Sequence, residues 1–307
     1  MREARPRTDS RSLRAPLAGT VVWTSTLVIA WAGAGQLTLI DAMMLLAVLV
    51  VVPAAIPLHP TASTRTSTFA LLAALPVAPA LVIDRGLASA LLTIPWLAIS
   101  VVGLLASAAW WWCQDRRIRW AVWPVSAGYL VVGAAWLVAD RLQLAPVGIS
   151  APFVQLTAVH FHYAGFASAT LVSSAWRWSS TSRIAAGATI LTVAAPPMVA
   201  IGFTYIGLLQ IVGAVLLTAG LWLLAWFTLR HVVPAVDPVA GVLLSISSVA
   251  VLMPMALAVQ WAVGTNFATP ALSIPQMAQV HGVLNAVGFT LAGVIGWRVV
   301  PPMAAPG

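Results

Sequence analysis

Long apolar runs, each about the length needed to cross a lipid bilayer, follow one another along almost the whole chain. A transmembrane helix needs about 20 predominantly apolar residues, and charges, prolines and polar clusters divide this sequence into ten such runs. Charged residues make up 7% of the 307 residues, against about 25% in an average soluble domain. The sequence therefore predicts an all-α, polytopic transmembrane bundle of about ten helices. The predicted helices lie near 17–35, 39–58, 68–83, 87–113, 119–139, 150–176, 184–201, 203–229, 239–262 and 276–298.

Two of these runs are poorer candidates for a full membrane span than the others. The third run is short and contains Pro76 and Pro79, and the seventh meets the pair Pro196 and Pro197. Because proline lacks a backbone N–H and crowds the preceding turn, we expect a short third helix and a seventh helix that ends near its proline pair.

The arginines predict the orientation of the bundle. All 15 basic residues are arginine, and 13 of them fall in cytoplasmic segments if the N-terminus is placed in the cytoplasm. Only Arg85 and Arg141 then lie in outer loops, each directly after an aspartate that we expect to neutralise it. Since cytoplasmic loops carry the excess of positive charge, both termini are predicted to be cytoplasmic. The predicted divisions are a basic tail at 1–16, one transmembrane domain at 17–300 and a C-terminal tail at 301–307.

Several function classes do not fit this sequence. The net charge of +8 does not indicate nucleic-acid binding, because the arginines lie in short loops and not in a basic patch on a folded polar domain. No phosphate-binding glycine loop, nucleophile elbow or dinucleotide fingerprint occurs, so conventional soluble-enzyme chemistry is not predicted. The expected partners are the lipid bilayer and an unidentified small molecule, and a homo-oligomer is compatible with the sequence.

Polar residues inside the apolar runs concentrate in the sixth and tenth helices. Ionisable groups within a membrane are costly, avoid lipid and mark functional sites by default. The ligand or proton site candidates are Gln155, His160, His162, Tyr163, Gln276, His281 and Asn285. Asp41 and Asp237 fall at helix ends, so no carboxylate is expected to be buried. His59 and His231 lie between runs and are expected to be solvated.

The spacing of the histidines predicts how the sixth helix packs. His160 and His162 are separated by about 200° around a helix, so they point to nearly opposite faces and neither face can be left to lipid. The sixth helix is therefore predicted to be central. His160 and His281 each precede a cytoplasmic arginine by 17 residues, which places both roughly 25 Å from the inner surface. We expect them to be level and close together in the outer half of the bilayer.

The surroundings of these two histidines are similar in sequence. QLTAVH at residues 155–160 aligns with QMAQVH at 276–281, and each is followed by a Gly-Phe pair. A spacing of four helices would suit a parallel internal repeat of the kind found in transporters. Convergence on a similar membrane site is the alternative interpretation.

The segments HFHYAGF (160–166) and HGVLNAVGF (281–289) resemble those of the YndJ-like family of bacterial membrane proteins. Their order, their separation and the all-helical frame fit that family as well. The resemblance implies a location in the bacterial cytoplasmic (inner) membrane and implies that the histidines mark a shared site. The family is sometimes labelled a transporter, a label that names no reaction.

Three functions are compatible with this site. The first is transport of a small solute or a proton-linked switch, since histidine titrates near physiological pH. The second is binding of haem or a metal ion by His160, His162 and His281, with a redox role. The third is a polar clasp that fixes helix packing without catalysis. The sequence names neither a substrate nor a cofactor, and all three remain open at this point.

Overall fold

The computed structural model of the protein describes residues 10–34, 37–114 and 118–300. Within these ranges the chain folds into ten helical rods joined by short turns, without a β-strand. Nine of the described rods are long and apolar enough to cross a membrane. The predicted all-α, polytopic architecture is therefore confirmed.

We number the rods α1 to α10 in chain order. Several are continuous helices in which a short π-helical or 3₁₀ turn separates two α-helical stretches. Their bounds are Ser10–Ile29 and Ala30–Ala34 (α1), Leu39–Leu58 (α2), Thr64–Ala74 and Val77–Val82 (α3), Leu87–Trp112 (α4), Ile118–Arg141 (α5), Phe153–His160, Phe161–Ala167 and Ser168–Trp178 (α6), Arg183–Thr204 (α7), Gly207–Ala235 (α8), Pro238–Ala250 and Leu252–Phe267 (α9), and Ile274–Val299 (α10).

Two rods form the centre of the bundle. In α2 every side chain from Met43 to Ala55 is buried. In α6 burial continues on all sides from Gly165 to Ala175. The central position of this part of α6 agrees with the prediction made from its histidines, and His162 is buried as expected, but His160 is exposed and its face is not fully covered. The equally central position of α2 was not predicted, because that run is uniformly apolar and has no polar face to indicate its neighbours.

The outer surface of the bundle is apolar. Large aliphatic side chains of α4 point outward, with Leu87 68% exposed and Leu105 63% exposed. A surface of this kind is stable against lipid tails and not against water. The bundle therefore contacts the lipid bilayer through these side chains.

Several predicted helix ends lie some residues from the observed ones, and two of these differences have a clear physical reason. Helix α1 begins at Ser10 and not near 17, because helical hydrogen bonding continues into the polar segment beyond the apolar run. Helix α7 passes through Pro196 and Pro197 and ends at Thr204. Pro197 cannot donate to the carbonyl of Val193, and the hydroxyl of Tyr129 on α5 donates to that carbonyl instead. A neighbouring helix thus satisfies the freed group, as membrane helices allow.

The predicted pairing of each outer arginine with its preceding aspartate holds only in part. Arg141 donates from Nε to Asp140 at 2.9 Å, but Arg85 also turns to Asp140, with 3.4 Å between its NH2 atom and Oδ1. Arg141 and Asp140 are both buried. One carboxylate thus joins the turn between α3 and α4 to the end of α5. We call this end of the bundle the Asp140 end.

The prediction that His59 is solvated holds only in part, because the residue is half-buried. Its ring lies edge-on to Trp123, with 4.6 Å between the ring centroids. Its Nδ1 is 2.9 Å from Thr61 Oγ1, and its Nε2 is 3.3 Å from Ser107 Oγ. Burial lowers the pKa of His59 to about 4. The neighbouring helices cover the turn in which this histidine lies, a packing that local sequence does not reveal.

Candidate functional site

His160 and His281 come together between α6 and α10. Their ring centroids are 6.3 Å apart and the rings are nearly parallel, at 26°. The two helices also meet at their far ends, where the rings of Trp178 and Trp297 pack edge to face with 6.4 Å between their centroids. The expected proximity of the two histidines is therefore confirmed. His160 lies roughly 10 Å along α6 from Phe153, which places the pair in the half of the bundle nearer the Asp140 end.

Backbone carbonyls fix the protonation of both rings. Nδ1 of His160 is 2.6 Å from the carbonyl oxygen of Leu156, and Nδ1 of His281 is 2.7 Å from that of Pro254. A carbonyl oxygen can only accept a hydrogen bond, so each Nδ1 carries the proton. In the neutral rings both Nε2 atoms are therefore acceptors. That of His281 has Asn285 Nδ2 within 3.3 Å, whereas that of His160 has no hydrogen-bond partner among the described residues.

Asn285 adds a third polar group to this pair. It lies one turn after His281 on α10, and its Nδ2 is 3.3 Å from His281 Nε2. Its Oδ1 is buried and has no hydrogen-bond partner among the described residues. An unsatisfied buried acceptor costs about 1–3 kcal/mol, and native proteins rarely leave one without a reason.

His162 belongs to a different contact on the opposite side of α6. Its Nδ1 donates to the carbonyl of Ala158 at 2.8 Å, and its Nε2 accepts from Trp96 Nε1 on α4 at 3.0 Å. The ring is fully buried. It also packs so closely on α5 that a Cβ at Gly133 would lie 2.6 Å from Nδ1. Both nitrogens of His162 are thus engaged, and the two-residue spacing separates the histidines as predicted.

The remaining candidates lie around the pair and not in it. Tyr163 donates to the carbonyl of Met43 on α2 at 2.9 Å. Gln155 donates to the carboxylate of Asp41, also on α2. Gln276 caps the start of α10, where its Oε1 accepts from the backbone and hydroxyl of Ser273. Tyr163 and Gln155 therefore join α2 to α6, whereas Gln276 serves the exposed end of α10.

Asp41 corrects the expectation that no carboxylate is buried. It does lie in the first turn of α2, where it forms a capping box with Thr38, but only 6% of it is exposed. The position of Asp41 at a helix end suggested that it is exposed to solvent. The sequence could not show that α6 packs over it.

The helices that form the site depart from regular α-geometry there. The segment Phe161–Ala167 of α6 is π-helical, and so are Ala278–Gly282 and Leu284–Leu291 of α10. Helix α2 has a π-helical stretch at Ala47–Val51. Such turns are rare and frequently occur at functional sites. No sequence signal indicated them, although the two histidine motifs coincide with the π-helical segments of α6 and α10.

The arrangement can accept hydrogen bonds or coordinate a cation, because it presents two imidazole nitrogens and one amide oxygen. No cluster of three or more His, Cys, Asp or Glu residues is found in the described parts of the chain. Sequence reasoning missed Trp96, Met43 and Met255 near these residues. A tryptophan or methionine in a transmembrane run resembles any other apolar side chain, so no signal separated them from the core.

Comparison with known proteins identifies a family. Residues 42–289 match the family model described as YndJ-like protein. The chain is 26% identical over 279 residues to the protein of Bacillus subtilis (strain 168) described as "Uncharacterized membrane protein YndJ", and the alignment covers 87% of this chain and 50% of that protein. The chain thus spans about half the length of the curated relative it matches. No solved structure matches it. With its apolar helices and this family match, the chain is a multi-pass membrane protein that belongs to the YndJ-like family.

Proposed function

We propose that this protein carries a small cation, or a solute rich in hydrogen-bond donors, across the membrane through a site formed by His160, His281 and Asn285. One observation carries the proposal: the imidazole rings of His160 and His281 lie 6.3 Å apart between α6 and α10, and Asn285, one turn from His281, has a buried amide oxygen without a hydrogen-bond partner among the described residues. A bound donor or cation would satisfy Asn285 Oδ1 and remove its cost of about 1–3 kcal/mol.

Irregular helices support the idea of movement at this site. The π-helical stretches of α6 and α10 surround the histidines, and α9 is interrupted at Val251, three residues before the carbonyl that holds His281. Broken or irregular helices near the binding site are common in transporters. A second buried oxygen without a partner among the described residues, Thr290 Oγ1, lies further along α10. These groups would mark the inward path of the solute.

The proposal includes an orientation. With the N-terminus in the cytoplasm, the Asp140 end faces outward and the site opens first toward the outside. His160 supports this access, since its side chain is exposed although residues 158, 159, 162 and 163 around it are buried.

Chemical labelling tests access to the site without knowledge of the solute. Single cysteines at His160→Cys and His281→Cys are placed in a Cys113→Ser background, and membrane vesicles of each orientation are treated with an impermeant thiol reagent. We expect both positions to react, about tenfold or more faster than a lipid-facing position, because only a thiol in contact with water forms the reactive thiolate. Transport further requires reaction from both sides of the membrane.

Val287→Cys is the matched control for this experiment. It lies on α10 within two turns of His281 and is 46% exposed on the apolar surface, where the reagent does not partition. Folded protein in which positions 160 and 281 react no faster than position 287 would contradict the proposal.

A haem or metal ion with a redox role is the second candidate function. It is favoured by the Nδ1–H bonds to the carbonyls of Leu156 and Pro254, since metal-ligating histidines almost always donate their other nitrogen in this way. The absorption spectrum and metal content of the purified protein test it. A Soret band or stoichiometric metal that disappears in His160→Ala and persists in His231→Ala, a histidine outside the site, would support it; protein with neither would exclude it.

A further inference from the structure

Two buried methionines flank the histidine pair. The backbone carbonyl of Met43 on α2 accepts a hydrogen bond from the hydroxyl of Tyr163. The sulfur of Met43 packs closely on α10, where a Cβ at Gly282 would lie 2.8 Å from Sδ. Met43 is 6% exposed. Gly282 follows His281 on α10, so the thioether of Met43 packs against α10 beside the histidine position, while its backbone contacts Tyr163 of α6.

The second methionine approaches from α9. Met255 is 3% exposed, and its Sδ is 3.9 Å from Asn285 Nδ2. The same amide nitrogen is 3.3 Å from His281 Nε2. Met255 also follows Pro254, whose carbonyl holds His281 Nδ1 at 2.7 Å. One thioether therefore contacts the amide that also contacts His281, and a second packs against the residue that follows His281.

We infer that the cation bound at this site is Cu(I), with His160 Nε2, His281 Nε2 and Met255 Sδ as ligands and Met43 Sδ within reach as a fourth. The inference rests on the proposed cation-binding function of the pair and names the ion. Thioether and imidazole together suit Cu(I), whereas alkali, Mg²⁺ and Ca²⁺ ions require oxygen ligands. The described side chains near the pair supply nitrogen, sulfur and a single amide oxygen, and the two nearby backbone carbonyls are engaged by the imidazole Nδ1 atoms.

Charge favours a monovalent ion. The imidazoles, thioethers and amide are neutral ligands, so they bring no negative charge to offset that of the ion. Burial of uncompensated charge is expensive in a membrane, and a divalent ion would cost more than a monovalent one. Zn²⁺ and Cu²⁺ are disfavoured for this reason.

Copper binding to the purified full-length chain tests the inference. The protein in detergent is incubated with Cu(I) under ascorbate in competition with bicinchoninate, and bound copper is measured by metal analysis and by X-ray absorption. We expect one copper per chain with both nitrogen and sulfur neighbours. His160→Ala and His281→Ala should abolish binding, and Met255→Leu should weaken it about tenfold or more, a change of about 1.4 kcal/mol or more.

Matched methionines control for packing. Leucine is close to methionine in volume, so these substitutions are usually tolerated by a packed core. Met253→Leu, 50% exposed, and Met44→Leu, fully buried beside Met43, should bind copper as the unmodified chain does. Thermal unfolding in the same detergent verifies that each variant is folded.

Three results would overturn the inference: folded protein that retains no Cu(I), copper without a sulfur neighbour, or Met43→Leu and Met255→Leu variants that bind copper like their controls.

Thiol labelling separates failure of the copper site from failure of the proposed function. If positions 160 and 281 react from both sides of the membrane but the protein binds no copper, only the identity of the ion is contradicted. If the protein binds copper but positions 160 and 281 never react with the thiol reagent, the transport proposal is contradicted and the copper site stands.

Discussion

At the scale of single residues, two histidines only two positions apart have different surroundings. His162 uses both ring nitrogens, one for the Ala158 carbonyl and one for Trp96. His160 uses one, and its ring lies 6.3 Å from that of His281, with no hydrogen bond to its Nε2 among the described residues. A polar clasp and a candidate binding site are thus both present, on opposite faces of one helix.

His59 allows a prediction about pH. Burial holds its pKa near 4, below the ordinary value of 6.5, so the unfolded chain binds a proton more readily than the folded one between these two values. The contribution of His59 to stability is therefore complete above pH 6.5 and is lost as the pH falls toward 4. We expect the unfolding free energy in detergent to decrease by roughly 3 kcal/mol at most over this range.

The His59→Gln variant isolates this effect, because other buried groups titrate as well. Its unfolding free energy should depend less steeply on pH between 4 and 6.5 than that of the unmodified chain. Equal slopes for the variant and the unmodified chain would show that His59 titrates normally in the folded state.

At the scale of elements, α7 shows how a helix tolerates proline inside the bundle. Pro197 removes one helical donor, and Tyr129 of α5 supplies a replacement at the Val193 carbonyl. The local rule that proline ends a helix therefore fails where another helix can donate. The π-helical stretches of α6 and α10 are a second departure from local rules.

Tyr129→Phe should therefore destabilise the protein by about 0.5–1.5 kcal/mol, measured as unfolding free energy in mixed micelles. In a Pro197→Ala background the same substitution should cost less, since alanine at this position restores a backbone N–H that can donate to the Val193 carbonyl. Tyr205→Phe, at a 70% exposed position at the end of α7, is the control. Additive costs in the double variant would mean that Tyr129 does not replace the missing donor.

At the scale of the whole molecule, the sequence predicted what depends on length and polarity. Ten runs correspond to ten described rods, and the common distance of His160 and His281 from an arginine placed them level. Their pairing followed because neither could face lipid. The sequence could not predict the burial of Asp41, the central place of α2 or the positions of Met43 and Met255, since uniformly apolar faces do not specify their neighbours. Orientation in the membrane remains a prediction.

Helix α6 is not among the nine described rods that are long and apolar enough to cross a membrane, although it lies at the centre of the bundle. This difference bears on the order in which its contacts form as the chain is synthesised. Its polar groups need protein partners, because lipid offers none. The partners of His162 and Tyr163 are Trp96 and Met43, and both precede α6 in the chain. They are already available when the ribosome delivers α6. His160 must wait for His281 on the last described helix, so the structural contacts can form first and the candidate binding site is completed last.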